Sequence, residues 1–263
     1  MIERILRIYR FEWTKAVRRW VTYLGPALVV FVICCVPLID RLDKDSVSDY
    51  GFIAKSAPMA LDVIGLLFVL TYTSTLVASE LGSGTARTVL VRPIRRSEFL
   101  LAKLLFALSY LVALAIIASA VSWLLVYVFG DAAGVTVGGD IVYTSRDMAL
   151  TYLAALGLSL IPLSAGVALA LMISSLTRST GSAVATTIGL WIAVDTVKYP
   201  LRISPFLFSS YIEAPWQVFV DRSDALDATW MPMTAYLLST SVPVFVVCLA
   251  VAWYKLNRRN LCS

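Results

Sequence analysis

Long apolar stretches alternate with short polar ones along this chain, and the apolar stretches have the length of membrane-crossing helices. About 20 apolar residues in an α-helix cross the hydrocarbon core of a bilayer. Because the runs are continuous and do not alternate with polar residues, they predict helices and not the strands of a membrane barrel. The six predicted spans are residues 20–39, 57–79, 104–129, 148–174, 182–199 and 233–254.

Composition agrees with a protein that buries its surface in lipid. The chain is 59% hydrophobic and 15% charged, with a mean hydropathy of +0.82, whereas soluble domains are about half apolar and about a quarter charged. Histidine is absent, which removes the commonest general base and metal ligand. The four cysteines have no ligand spacing. We therefore expect one all-α polytopic membrane domain over residues 20–263, with no metal and no catalytic residue.

The distribution of cations predicts the orientation. Of the 22 lysines and arginines, 15 lie before the first span, after the second, after the fourth and after the sixth. Cytoplasmic flanks carry an excess of these residues. Both termini and the segment 79–103 are therefore expected on the cytoplasmic side.

Residues 1–19 have the pattern of an amphipathic helix. Apolar residues recur every three or four positions, and most arginines fall on the other side of the helix. This pattern favours a helix that lies in the membrane interface and contacts lipid headgroups through its cations. Packing on a soluble partner is the alternative. The apolar positions are Ile2, Ile5, Leu6, Tyr9, Trp13, Ala16, Val17 and Trp20.

The segment 79–103 is dense in charge and in helix signals. Its glycines break the helix that leaves the second span. Thr85 is a predicted N-cap for a short helix over residues 86–91, and Pro93 ends that helix. Ser97–Glu98 predicts a second helix start that runs into the third span. A compact helical elbow of this kind is suited to docking against another protein.

The run ELGSGTARTVLVRPIRRSEFLLAK resembles the cytoplasmic loop of ABC transporter permeases of the type-2 exporter family. The matching positions are Glu80, Gly84, Thr85, Leu90, Pro93, Arg96 and Lys103. Six spans, a basic N-terminal helix and a long last outer loop extend the resemblance over the whole chain. The residues to which the resemblance assigns the coupling role are Glu80, Gly84, Thr85, Arg87, Leu90, Pro93, Arg96, Glu98 and Lys103.

The resemblance implies a transporter assembled from several subunits. Two copies of a separate ABC ATPase subunit would bind ATP and Mg²⁺, and a second permease subunit would complete a dimer, expected to be a homodimer. The chain has no GxxxxGK[ST] motif, so it is not expected to be an enzyme by itself. The location implied is the cytoplasmic membrane of a bacterium or archaeon. Membrane lipid is a partner and nucleic acid is not.

Polar residues inside the spans are candidates for a translocation cavity, because ionisable groups in a membrane are costly and often functional. Local pairing or packing is the alternative for each of them, and hydroxyls often bond to their own helix. The candidate cavity residues are Asp62, Thr71, Thr73, Thr75 and Asp195.

Small residues recur every four positions in the fifth span and predict a close helix–helix contact. The contact could lie across a homodimer interface or within one subunit. The small residues are Gly181, Ala185, Gly189 and Ala193. The half-polar residues 200–232 predict short helices that dip into the outer leaflet, or an ordinary extracellular cap.

Two other functions compete with the exporter. A membrane-embedded enzyme would need a cluster of catalytic residues, and the sequence offers none. A gradient-driven secondary carrier or channel would need deeper ionisable residues or an inverted repeat. The cargo stays open, although spans that are mainly uncharged favour an amphiphilic or hydrophobic molecule.

Overall fold

The structure is a computed structural model that describes residues 2–40, 49–83, 95–129, 134–137, 140–198 and 200–258. Its elements up to the middle of the chain are α1 (Ile2–Val17), α2 (Val21–Asp40), α3 (Asp49–Met59), a π-helix (Ala60–Gly65), α4 (Leu66–Gly82) and α5 (Arg96–Phe129). There follow β1 (Gly134–Val137), β2 (Asp140–Thr144), α6 (Ser145–Leu176), α7 (Thr180–Val197), two 3₁₀ turns (Ser204–Phe206 and Phe208–Tyr211), α8 (Ala214–Ser223) and α9 (Met233–Arg258).

Within the described residues, five helical segments are long and apolar enough to cross a membrane, or six if the bent pair α1–α2 counts as one span. The two helices of that pair meet at 70°. The five are Tyr50–Gly82, Arg96–Val128, Ser145–Leu176, Thr180–Val197 and Met233–Arg258. The molecule is therefore a helical, multi-pass membrane protein, as the apolar runs predict.

The second span is longer than its hydropathy suggests. Its helix begins at Asp49 and passes through the π-helix into α4, whereas the sequence predicts residues 57–79. Polar residues precede the apolar core of this segment, and a hydropathy window discounts them. The consequence is that 13 residues of helix precede Asp62, although it lies only five residues from the start of the predicted span.

One small element falls outside the all-α expectation. The strands β1 and β2 form an antiparallel hairpin with a register shift between Val135 and Thr136. The segment is too short to change the fold class. It lies at the start of α6, at the end of the molecule opposite the chain termini.

Part of the apolar face of helix α1 packs against the helix bundle and does not face lipid. Ile5, Ile8 and Ala16 are buried in the packing of α1 on α5, and Trp13 meets the ring of Phe106 edge-on at 5.2 Å. Trp20, by contrast, is 76% exposed. The predicted interfacial helix is thus anchored to the helix bundle along one edge, while its other apolar residues remain available to lipid.

Close packing of α2 depends on Gly25. A Cβ atom at this position would lie 2.6 Å from both Phe68 Cδ1 and the hydroxyl oxygen of Tyr110. That hydroxyl donates to the carbonyl oxygen of Thr22 at 2.8 Å. The absence of a side chain therefore lets α2 approach α4 and α5.

Residues 200–232 fold back onto α6. Trp216 and Phe219 of α8 are buried and meet the ring of Tyr152 at centroid distances of 5.3 and 5.6 Å. Arg222 donates to Thr151 Oγ1 at 2.7 Å. These contacts make an ordered helical cap, and its dipping into the outer leaflet stays a prediction.

Candidate functional site

A buried group of four charged residues joins three helices at the end of the molecule that carries the termini. Lys103 Nζ of α5 donates to Glu12 Oε1 of α1 at 2.9 Å and to Glu80 Oε1 of α4 at 3.0 Å. Lys15 Nζ donates to the same Glu80 oxygen at 2.9 Å. We call Glu12, Lys15, Glu80 and Lys103 the charge cluster.

Burial distinguishes the members of the charge cluster. The side chain of Lys103 is 0% exposed, those of Glu12 and Glu80 are 5% and 8% exposed, and that of Lys15 is 28% exposed. Charges at such positions lose most of their hydration, and only good pairing offsets this loss. Lys103 also lies 4.9 Å from the ring centre of Phe99. Two acids and two bases balance the formal charge of the cluster.

The charge cluster lies at both ends of the predicted coupling segment. Glu80 is in the last turn of α4, and Lys103 is in the third turn of α5. Both bond to α1, so the helix that enters the segment, the helix that leaves it and the N-terminal helix are held together. A displacement of the segment would be passed to all three.

The start of α5 is held by two more of the predicted residues. Glu98 Oε2 accepts from the backbone N–H of Arg95 at 3.0 Å, so Glu98 caps the helix and Ser97 lies inside its first turn. Arg96 Nη1 donates to the carbonyl oxygens of Leu256 and Asn257 at 2.9 and 2.7 Å. A cation on the last carbonyls of α9 suits the end of a helix.

The end of α4 is also fixed to the α6–α7 turn. Ser174 Oγ accepts from the backbone N–H groups of Val77 and Ala78 at 3.0 Å each. A Cβ atom on Gly82 would lie 2.6 Å from the carbonyl oxygen of Arg178. The two cytoplasmic connections predicted from the sequence therefore contact each other.

The remaining coupling residues fall outside the part of the chain that the structure describes. These are Gly84, Thr85, Arg87, Leu90 and Pro93, together with the predicted short helix over residues 86–91. Their role stays a prediction.

A pocket lies near the opposite end of the molecule, between the π-helix and α8. Its volume is about 310 Å³, and it is lined by Pro58, Met59, Asp62, Val63, Glu213, Trp216, Gln217 and Val220. We call it the Asp62 pocket. Eighteen residues separate Asp62 from Glu80, which corresponds to about 27 Å of helix. The Asp62 pocket and the charge cluster are therefore about one bilayer core apart.

The carboxylate of Asp62 is unpaired among the described residues. Both of its oxygens are buried, and neither has a hydrogen-bond partner there. The indole N–H of Trp216 is also buried, and no described residue accepts a hydrogen bond from it. π-Helical turns are rare and often occur at functional sites, and here the turn carries the acid.

The other candidate cavity residues are engaged locally. Thr71 and Thr75 donate their hydroxyls to carbonyl oxygens of their own helix, and Thr73 is buried. Asp195 pairs with Lys198 of the same chain segment. The lining of the Asp62 pocket does not include these four residues.

The small-residue face of α7 points away from the rest of the subunit. Gly181, Ala185, Gly189 and Ala193 are all exposed, and a Cβ atom on Gly189 would meet nothing within 4 Å. Ala183 and Thr187 are the buried residues of α7. Among the described residues, this face is therefore largely uncovered by the rest of the subunit.

Sequence reasoning missed two of the four residues of the charge cluster, and of the eight residues that line the Asp62 pocket it singled out Asp62 alone. Glu12 and Lys15 belong to no motif in the sequence, although an acid in line with Ile5, Ile8 and Ala16 is a signal for an inward charge. Glu213 and Trp216 offered no local signal, because their relation to Asp62 exists only in the folded chain.

The fold and these two sites define a helical multi-pass membrane protein with a charged end and a buried acid in one span. The chain belongs to the family described as "Protein of unknown function (DUF2705)", which it matches over residues 24–262. Comparison with curated proteins gives no significant match.

Proposed function

We propose that this protein is the membrane-spanning permease subunit of an ATP-driven ABC exporter of the type-2 kind. It would couple ATP hydrolysis by a partner subunit to translocation across the cytoplasmic membrane of a bacterium or archaeon. The observation that carries the proposal is the charge cluster. It ties both ends of the segment 79–103 to α1, which suits a segment that receives a mechanical input.

The coupling would act through rigid contacts. An ATPase docked on residues 84–94 would move the end of α4 and the start of α5 together, because Lys103 bonds to Glu80 and Glu12. Arg96 would pass the same movement to the end of α9. A membrane domain with two packed arrangements can convert such a movement into alternating access.

ATP and Mg²⁺ belong to the partner in this proposal. The chain itself lacks the phosphate-binding motif and would perform no hydrolysis. Two ATPase subunits would serve two permease subunits.

The second permease subunit would pack on α7. Small residues let helices approach closely in lipid, where backbone packing drives association. The exposed face formed by Gly181, Ala185, Gly189 and Ala193 suits this contact, and a second copy of the chain would present the same face.

Recovery of the partner tests the proposal. The tagged chain, purified from its host in mild detergent, is expected to bring down an ATPase with a P-loop. The variant Thr85→Ala/Arg87→Ala should recover several-fold less ATPase. Arg146→Ala is the matched control, because Arg146 is exposed at the opposite end of the molecule and should leave recovery unchanged. Failure to capture any such ATPase, even with a crosslinker placed at residue 83, would contradict the exporter.

A gradient-driven secondary carrier is the second candidate, and Asp62 favours it. A buried, unpartnered carboxylate inside a span is a group that protons or cations can occupy in turn. Vesicles that hold the purified chain alone separate the two proposals. A carrier would transport along an imposed ion or proton gradient without ATP, and Asp62→Asn would abolish that transport. The exporter would be inactive until its ATPase is added.

A further inference from the structure

The Asp62 pocket contains polar groups whose hydrogen-bonding capacity is unmet. The two oxygens of Asp62 accept no hydrogen bond from the described residues. Trp216, which also lines the pocket, is 2% exposed, so bulk solvent does not reach this wall of the pocket freely. Buried polar groups are nearly always paired, and unpaired ones at a pocket indicate a ligand.

The charge of the pocket selects the ligand. Asp62 and Glu213 both line it, and the described residues of its lining include no cation. Arg222, in the helix that follows Glu213, is engaged with Thr151 and the carbonyl oxygen of Ala228. Two carboxyl groups and one indole ring are the chemistry that binds a cation. An ammonium group also supplies the hydrogen bonds that Asp62 lacks.

The size and walls of the pocket argue against a bare metal ion. Among the described residues, no group of three or more acidic, cysteine or histidine side chains could hold one. Calcium takes six to eight oxygen ligands, and this lining offers two carboxylates and the amide of Gln217. A volume of about 310 Å³ is far larger than an ion, and Pro58 and Val220 make part of the wall apolar.

The apolar wall continues onto the surface of the molecule. Met59 and Val63, on either side of Asp62 in the sequence, are 50% and 52% exposed. A ligand whose charged head reaches Asp62 would therefore leave its apolar part against these side chains and the surrounding lipid. We propose that the Asp62 pocket binds the protonated amine head group of an amphiphilic molecule, with its apolar chain lying along Met59 and Val63.

The inference rests on the proposed export function in one respect, because the bound amine is taken to be the molecule that the exporter transports. Binding itself needs neither the ATPase nor ATP. Binding measured on the chain alone can therefore fail while the ATPase is still recovered, and the reverse can also occur, so the two failures are distinguishable.

The test uses the full chain in phosphatidylcholine nanodiscs at pH 7, with radiolabelled dodecylamine as the probe. Dodecanol, of the same chain length and without charge, is the ligand control, and empty nanodiscs give the partition background. Asp62→Asn removes the charge at nearly constant volume, and Glu213→Gln removes the exposed acid of the rim. Asp224→Asn is the matched control, because Asp224 is an exposed acid at the end of the same helix and lies outside the pocket lining.

We expect saturable binding of dodecylamine that weakens at least tenfold in Asp62→Asn, by a smaller factor in Glu213→Gln, and not at all in Asp224→Asn. Dodecanol should bind the native chain and Asp62→Asn equally. Equal amine binding to the native chain and Asp62→Asn would overturn the proposal. So would binding of sodium or potassium that depends on Asp62 while dodecylamine fails to compete.

Discussion

Lys103 is the residue on which the charged end of the molecule depends. Its ammonium group is wholly buried and bonds to two carboxylates on two other helices. This contact needs the positive charge of lysine, its N–H donors and the length of its side chain. A substitution of Lys103 that removes any of these leaves Glu12 without a partner among the described residues, whereas Glu80 retains Lys15.

Lys103→Met tests this dependence. Removing one partner of a buried ion pair destabilises a protein by about 3–5 kcal/mol, because the remaining charge is unpaired. Lys15→Met should lower the free energy of unfolding by less than about 1 kcal/mol, since its pair is partly hydrated. Titration of the purified chain with a denaturing detergent measures both, and Lys103→Met/Glu12→Gln should recover part of the loss. Equal effects at Lys15 and Lys103 would contradict the ranking.

Gly82 is a second residue at which a small change, the addition of one Cβ atom, is expected to destabilise the protein. The Cβ of Gly82→Ala would lie 2.6 Å from the backbone carbonyl oxygen of Arg178, and backbone cannot move aside as a side chain can. Overpacking of this kind destabilises by about 1–3 kcal/mol. Gly157→Ala, where a Cβ meets nothing within 4 Å, is the control. It should not destabilise, because alanine favours a helix. Thermal unfolding in detergent compares the two variants.

At the scale of elements, α7 has two faces with different roles. Ala183 and Thr187 face the bundle, and the small residues four apart face outward. The sequence predicts the small-residue face but leaves its partner open, because one subunit and two subunits use the same packing chemistry. The exposure of all four residues favours the second subunit.

Ala185→Leu/Gly189→Leu should separate the two permease subunits. Bulky side chains on this face block close approach of helices, and the surroundings of Gly189 within the subunit are open, so the subunit should fold normally. We expect the mass of the detergent-solubilised complex to fall from two subunits to one. Gly157→Leu, on the separate helix α6, where a Cβ atom likewise meets nothing within 4 Å, should leave the mass unchanged. A dimer that survives the double substitution would place the interface elsewhere.

At the scale of the whole molecule, the two sites lie at opposite ends of the helices. The charge cluster, Gly82 and the α6–α7 turn share the end that carries both termini. The Asp62 pocket, the hairpin and α8 share the other. With the excess of lysine and arginine at the first end, the positive-inside bias predicts that the charge cluster is cytoplasmic and the Asp62 pocket opens outward.

Cysteine labelling in whole cells tests this orientation. In a background without the four natural cysteines, Asp224→Cys should react with a membrane-impermeant maleimide in intact cells. Ser83→Cys and Ser179→Cys should react only after the membrane is opened. Labelling in the reverse order would invert the topology, and the ATPase could then no longer reach residues 84–94.

The sequence by itself determined the class of the molecule. Only helices and closed barrels satisfy their backbone hydrogen bonds in lipid, and continuous apolar runs, without the alternation of barrel strands, select helices. Local signals predicted that a helix starts near Ser97–Glu98, but the helix begins at Arg96, and Glu98 bonds to the backbone of Arg95. The resemblance further identified Glu80 and Lys103 as residues of interest.

Only the tertiary structure decided which residues meet. Glu12 and Lys103 are 91 positions apart, and Asp62 and Glu213 come together through the packing of α8 beside the second span. Periodicity reports which face of a helix is apolar and carries no information on the neighbour that covers it. The partner of each buried charge, the pocket around Asp62 and the free face of α7 follow from packing between elements distant in the chain.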